Sequence, residues 1–248
     1  MSLLDEVLEA HGGVERWRAA RRISARLRSG GLLVRTRMPG TRFADCRLTV
    51  EVAEPRASMD PFPEPGQRGV FDRGEARIET ADGGVLESRP DPRPQFFGAS
   101  GLRRNLRWDA LDSAYFAGYA LWNYLTTPLL LTRDGVAVRE GRPWRDDGEI
   151  WRRLEATFSE GIDTHARDQV FYFDDRGLLR RLDYVAEVIG GWARAAHMCA
   201  DHIESGGLSF PTRRRVRPIG PRNRALPFPT MVSLELSEIE VEGARLAP

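Results

Sequence analysis

The chain has no lysine: every one of its 37 basic residues is arginine. That removes Schiff-base chemistry and any lysine acid or base, both of which need an amine that can lose its proton. The net charge is only +1, so no global field draws nucleic acid or an anionic membrane. The two cysteines, Cys46 and Cys199, are far apart and outside any CxxC pattern. They predict free thiols in a reducing compartment, not a disulfide framework. No apolar run reaches the length of a membrane span. The opening segment MSLLDEVLEAHGGVERWRAARR carries acids within its apolar stretch and lacks a basic start and a continuous hydrophobic core. It does not read as a signal peptide, which predicts a cytoplasmic protein. GxGxxG after a strand, GxxxxGK[ST], GxSxG and HExxH are all missing, so no nucleotide cofactor is expected.

What remains is an ordinary globular balance, 41% hydrophobic and 29% charged, over a length sufficient for a well-buried core. Leu4, Val7, Leu8, Val14 and Trp17 recur at helical spacing behind a Ser2 cap, and Gly12-Gly13 divides them into short helices. From Ile23 the period becomes two. ISARLRS, LLVRTRM and FADCRLTVEVA read as strands, and RASMDPFPEPGQRG as an irregular connection. GVFDRGEARIETADGGVLESR supplies further strands around an ADGG hairpin.

A Pro/Gly-rich loop over residues 90–107 leads into one long helix from Asp109 to Thr127, ended by Pro128. Leu111, Tyr115, Phe116, Tyr119, Trp122 and Leu125 mark a broad apolar face on it. Strands resume at VAVRE and EIWRRLEATF, and TMVSLELSEIEVE is the last.

The segment Asp168–Val216 is the most informative. DQVFYF, LLRRLDYVAEVI, RAAHMCADHIE and LSFPTRRRV are separated by DDRG, GGWA and SGG, the chemistry of reversals in an antiparallel meander. With Gly190-Gly191 and Gly206-Gly207 as two-residue turns, Tyr184 lies opposite His197, Leu182 opposite Cys199 and Arg180 opposite Asp201. Across the next turn Cys199 faces Arg214, Asp201 faces Thr212 and Ile203 faces Phe210. Alternation then puts Phe171, Phe173, Leu182, Tyr184, Cys199, Ile203, Phe210 and Val216 inside. Arg181, Asp183, Glu187, His202 and Arg215 fall outside.

Set among the inner apolar residues are His165, Gln169, Arg180, His197, Asp201 and Arg214, and buried charges must find partners. Arg180–Asp201–Arg214 forms a reasonable cross-strand group, and Tyr184–His197 a neighbour pair. Phe171 shares this face, and Tyr115, Tyr119 and Trp122 of the long helix offer core packing or an aromatic ceiling over a ligand. His197, Cys199 and His202 resemble a metal cluster in spacing, but on a strand His202 points away from the other two, so no metal is expected. The Thr212–Pro218 run of arginines alternates faces and reads as a solvated strand, not a nucleic-acid patch.

HGGVERWRAARRISARLR at the start, the inserted helix, and FYFD, GLLRRLDY and HIESGGLSFPTRRRV in the meander resemble the bacterial lipoprotein-carrier superfamily typified by LolA, LolB and LppX. The resemblance implies an α+β fold: one LolA-like half-barrel domain over 1–248. Its strongly curved antiparallel sheet would carry helices on its concave side and hold a hydrophobic small molecule or lipid there. Arg180, Arg214 and the aromatic residues would orient one polar group of that ligand. An alternative is a cofactor-independent cyclase, isomerase or hydrolase acting on a hydrophobic metabolite such as a polyketide. His197 would then be its acid or base, tuned by Tyr184 and Asp201.

Overall fold

Most period-two segments pair with a neighbour in sequence, because short turns leave consecutive strands nowhere else to lie. The computed structural model describes residues 1–38, 45–98, 101, 104, 106–146 and 148–243. Its strands form one antiparallel sheet of 13 members in the order β6-β5-β4-β3-β2-β1-β13-β12-β11-β10-β9-β8-β7. The first limb is β1 (Arg22–Gly30), β2 (Asp45–Glu51), β3 (Arg56–Asp60), β4 (Gln67–Asp72), β5 (Glu75–Thr80) and β6 (Val85–Arg89). The second is β7 (Val136–Asp146), β8 (Glu149–Phe158), β9 (Asp168–Phe173), β10 (Leu179–Val185), β11 (Arg194–Ser205), β12 (Leu208–Pro218) and β13 (Val232–Glu242). The chain meanders outward from β1 to one edge, crosses to the opposite edge, and meanders back until β13 pairs with β1.

The crossing is made by the long helix, here α4 (Ala110–Thr126), after α1 (Leu3–Ala10), α2 (Val14–Ala19) and α3 (Leu32–Arg37). Ser2 caps α1 and Asp109 caps α4, each in a reciprocal capping box. Arg89 clamps Asp109 and Asp112, with Nη1 2.6 Å from Asp112 Oδ1, and so ties the helix start to the β6 edge. Every residue of α4 from Leu111 to Thr126 is buried, so the one-faced stripe read from sequence is too narrow. A helix apolar on all sides belongs inside the protein. Gly118 lets it approach β4 closely; a Cβ there would sit 2.1 Å from that of Phe71. Trp122 donates Nε1–H to the Glu51 carbonyl at 2.8 Å, and Tyr124 touches β10 and β12. One helix thus contacts both limbs, so the open sheet is a half-barrel with α4 on its concave side. Among the described residues no helix is long and apolar enough to cross a membrane.

Several local expectations are corrected. LLVRTRM is not a strand: Leu32–Arg37 is α3, which buries Leu33. So short a segment fits either period until packing decides. The Pro-rich connection begins with a regular strand, β3, before Pro61 turns the chain. Phe43 and Ala44 of the third predicted strand lie outside the described residues, as does part of the 90–107 loop. The β10–β11 reversal spans Ala186 to Ala193, closed by Ala186 N–H donating to the Ala193 carbonyl, not by Gly190-Gly191 alone. The register therefore moves by two: Tyr184 opposes Ala195 and Leu182 opposes His197. A shift of two leaves each side chain on its face. Cys199–Arg214 and Ile203–Phe210 pair as expected.

The facing expectation holds for most inner positions, fails at Ile203, and fails in part outside. Phe171, Tyr184, His197, Cys199 and Phe210 are buried. Asp183 and Arg181 are buried as well, because the β12–β13 connection folds back over the outer face. Arg181 grips Asp183 with two hydrogen bonds (2.6 and 2.9 Å) and donates to the Asn223 carbonyl. Asp201 has φ 56°, a left-handed backbone that Asp tolerates, and the strand's facing changes there. His202 is half-buried, 6.3 Å from the His11 ring, while Ile203 is 42% exposed.

Both cysteines lie in the core, and burial pushes Cys46 up to about 12 and Cys199 in the same direction. A thiol reagent should therefore find neither in the native protein and both after denaturation. Rapid native labelling of Cys199 would place it on the wrong face of β11.

Candidate functional site

The concave face gathers an aromatic and imidazole cluster around Tyr124, near the C-terminal end of α4. Its hydroxyl lies 2.6 Å from His165 Nε2 and 3.2 Å from the Tyr184 hydroxyl. Tyr119, one turn earlier, holds the other His165 nitrogen at 3.2 Å. His165 stacks on Tyr184, with ring centres 4.1 Å apart and planes 10° from parallel. His197, on β11, meets the Tyr124 ring edge-on at 4.5 Å. Arg214, on β12, lies with its guanidinium 5.1 Å from the Tyr124 ring centre and donates Nη2–H to the Tyr124 carbonyl at 3.0 Å. A cation is well placed among the last carbonyls of a helix, which carry the negative end of its dipole.

His165 reaches the cluster from the loop after β8. Asn123 donates to the Asp163 carbonyl at 2.9 Å, and Arg93 donates to the Thr164 carbonyl at 2.7 Å. Gln169 closes the same loop by hydrogen bonds to Thr164 Oγ1 and the Ala166 carbonyl. Burial, with the nearby Arg93 charge, pushes the His165 imidazole down to about 3. Burial first and Arg214 second push His197 well below its ordinary value, so both rings are neutral. Neither nitrogen of His197 has a hydrogen-bond partner among the described residues.

Above the cluster lies an apolar cavity of about 200 Å³ between β10–β13 and α3. Leu33, Ile189, Val216 and Val232 supply its walls, with Tyr184 and His165 at its inner side. A smaller cavity of about 40 Å³ adjoins it and shares Phe116, Tyr184 and Val232. Trp192, 74% exposed, stands at the mouth.

Of the residues singled out from sequence, His165, Tyr184, His197, Arg214 and Tyr119 come together here. The others do not. Asp201 turns outward and pairs with Arg213 at 2.7 Å, half exposed, so it cannot tune His197 or neutralise Arg214. Arg180 is the extra residue of a bulge between Leu179 and Arg181, and its guanidinium lies 3.4 Å from Asp174 and 5.9 Å from the Trp151 ring. Phe171 is core packing, Tyr115 is tied to Asp163 at 2.5 Å, and Trp122 faces β2. Among the described residues no three His, Cys, Asp or Glu side chains gather around a possible metal position. Tyr124 was missed; a helix buried on all sides was the signal that could have found it.

The fold has counterparts among solved structures. A LolA superfamily protein from Nitrosomonas europaea superposes with a TM-score of 0.53 at 12% identity, over 99% of this chain and 93% of that one. A domain from Vibrio parahaemolyticus described as an outer membrane lipoprotein-sorting protein gives 0.50 at 8% identity, over 97% and 91%. No protein-family model matches the chain. No curated protein matches it by sequence. The likeness identifies a LolA-like half-barrel fold.

The neutral imidazoles make stability pH-dependent. Unfolded histidines titrate near 6.5, so below that value the unfolded chain binds protons that His165 and His197 refuse. Stability is full above about pH 7.5 and should fall as pH drops through 6.5 and on towards about 3, with a limiting slope of about 1.4 kcal/mol per pH unit for each such imidazole. Urea titrations across that window check it, and a flat profile would mean the rings are solvated. Tyr124→Phe should cost about 1–3 kcal/mol, because it orphans His165 Nε2 in the core. A neutral effect in the same titration would remove Tyr124 from the centre of the cluster.

Proposed function

We propose that the protein binds a hydrophobic small molecule or lipid in the concave face of its half-barrel. The observation that carries this reading is the apolar cavity, which opens at Trp192 and runs inward to Tyr184 and His165. Ligand sites are typically concave, apolar and furnished with a few convergent polar groups, which is the composition found here. At about 200 Å³ the cavity lies below the usual range of about 300–1,000 Å³, so it suits one small apolar molecule or a single chain segment. The adjoining 40 Å³ space offers room to lengthen it, since only the shared side chains of Phe116, Tyr184 and Val232 intervene. The solved structures of the same fold include one described as a lipoprotein-sorting domain, which supports a lipid as the ligand class.

Enzymatic turnover has less support. The Asp201 carboxylate meant to assist His197 lies on the outer face, and the buried imidazole, with no hydrogen-bonded neighbour among the described residues, has no relay there for its proton.

Ala195 is a small residue of the cavity wall, and a larger side chain there fills the space a ligand would take. Ala195→Phe should weaken uptake of a fluorescent alkyl probe by ~10-fold or more. Trp122→Phe, on the far side of α4, should leave uptake unchanged. Equal uptake by wild type and Ala195→Phe would remove the cavity as the binding site.

A further inference from the structure

We infer that the ligand ends in a carboxylate, which Arg214 and His197 receive just beyond the inner end of the cavity, one inward-facing position past Val216 and Ala195. This inference rests on the binding reading above and adds the chemical class of the head group. The inner-facing residues of β12 run Pro218, Val216, Arg214, and the first two line the cavity. On β11 the inner-facing residue after Ala195, itself part of the wall, is His197. Arg214 and His197 are therefore the next side chains inward on adjacent strands, with the Tyr124 ring between them and the helix.

What singles out this position is unbalanced charge. Arg214 is 2% exposed, yet among the described residues it forms no ion pair. Its Nη2 is held by the Tyr124 carbonyl, its Nη1 meets only the Cys199 sulfur at 3.4 Å, and its Nε has no partner. The charged neighbours acting on His197 and Cys199 are Arg214 and Arg180, joined by the titratable rings of His165, Tyr124 and Tyr184, and no carboxylate is among them. Nor does Asp201 supply the missing anion, since it pairs outside with Arg213. Buried charges are stable when paired, and a guanidinium presents a planar donor set that matches a carboxylate. His197, neutral and fully buried, has one N–H to donate and, among the described residues, no acceptor for it. One cation and one neutral donor balance a single negative charge; a phosphate dianion would bring a second, uncompensated one. The apolar walls between this point and the mouth then accept the chain that follows the carboxylate.

The test compares a 12-carbon fatty acid, the alcohol of the same length and the alkyl phosphate by equilibrium binding to wild type and Arg214→Met (chain length ~12, chosen as one alkyl segment). Wild type should bind the acid at least ~10-fold more tightly than the alcohol, as a hydrogen bond to a charged group contributes that much. Arg214→Met should abolish the preference and keep alcohol affinity within ~3-fold. Equal affinity of wild type for acid and alcohol overturns the inference while leaving the cavity reading intact; binding of none of the three removes both. A phosphate bound more tightly than the acid overturns the carboxylate assignment. Should Arg214→Met fail to fold, the wild-type comparison decides alone, and His197→Leu should reduce the acid preference without abolishing it.

Discussion

A helix with no side left for water imposes its shape on everything around it. Every residue of α4 from Leu111 to Thr126 is buried, including three tyrosines, a tryptophan, an asparagine and an aspartate. No flat sheet can cover such a surface. The two limbs must curl around the helix, and they meet at the β1–β13 pair, so one helix crossing accounts for the half-barrel. The helix ends follow from the same demand. Asp112 is buried and therefore held by both Arg89 and Arg104, and the last turn is met by Arg214 at the Tyr124 carbonyl. Buried polar groups are tolerated only with partners.

The polar residues of that helix create the candidate site. Tyr119 and Tyr124 each present a hydroxyl to the interior, and both are satisfied by His165. This fixes the loop after β8 over the concave face and stacks the imidazole on Tyr184. The cluster is rigid because its hydrogen bonds and ring contacts are shared among helix, loop and strands. The neighbouring cavity is walled largely by apolar side chains and opens at Trp192. A polar floor beneath an apolar cavity is the arrangement on which the proposed recognition of a ligand's head group rests.

The meander from Asp168 to Val216 was legible because its alternation survives errors of two in register; the β10–β11 reversal proved longer than two residues without moving a side chain to the wrong face. Tyr184, His197 and Arg214 were found for that reason, whereas His165 sits in the loop after β8, where alternation does not reach. Asp201 and Arg180 were misplaced by events that leave no periodic trace: one left-handed residue and one bulge. Arg214 was also read as part of a solvated arginine run, although it is the member that the core retains. Tyr124 escaped because a single apolar stripe was sought on a helix that has none. Burial of Arg181 and Asp183 depended on the Pro221–Asn223 segment folding back, a tertiary event that strand patterns do not encode.

The most direct measurement of the central claim is the location of a bound alkyl chain. Intermolecular NOEs from an isotope-filtered experiment would report which protein protons lie within contact distance of a bound fatty acid. Contacts to the Tyr184 ring and to the methyl groups of Val216 and Ile189 are expected, since these line the inner cavity. Contacts confined to the exposed side chains of Trp192 and Phe228, with none to Tyr184 or Val216, would contradict it.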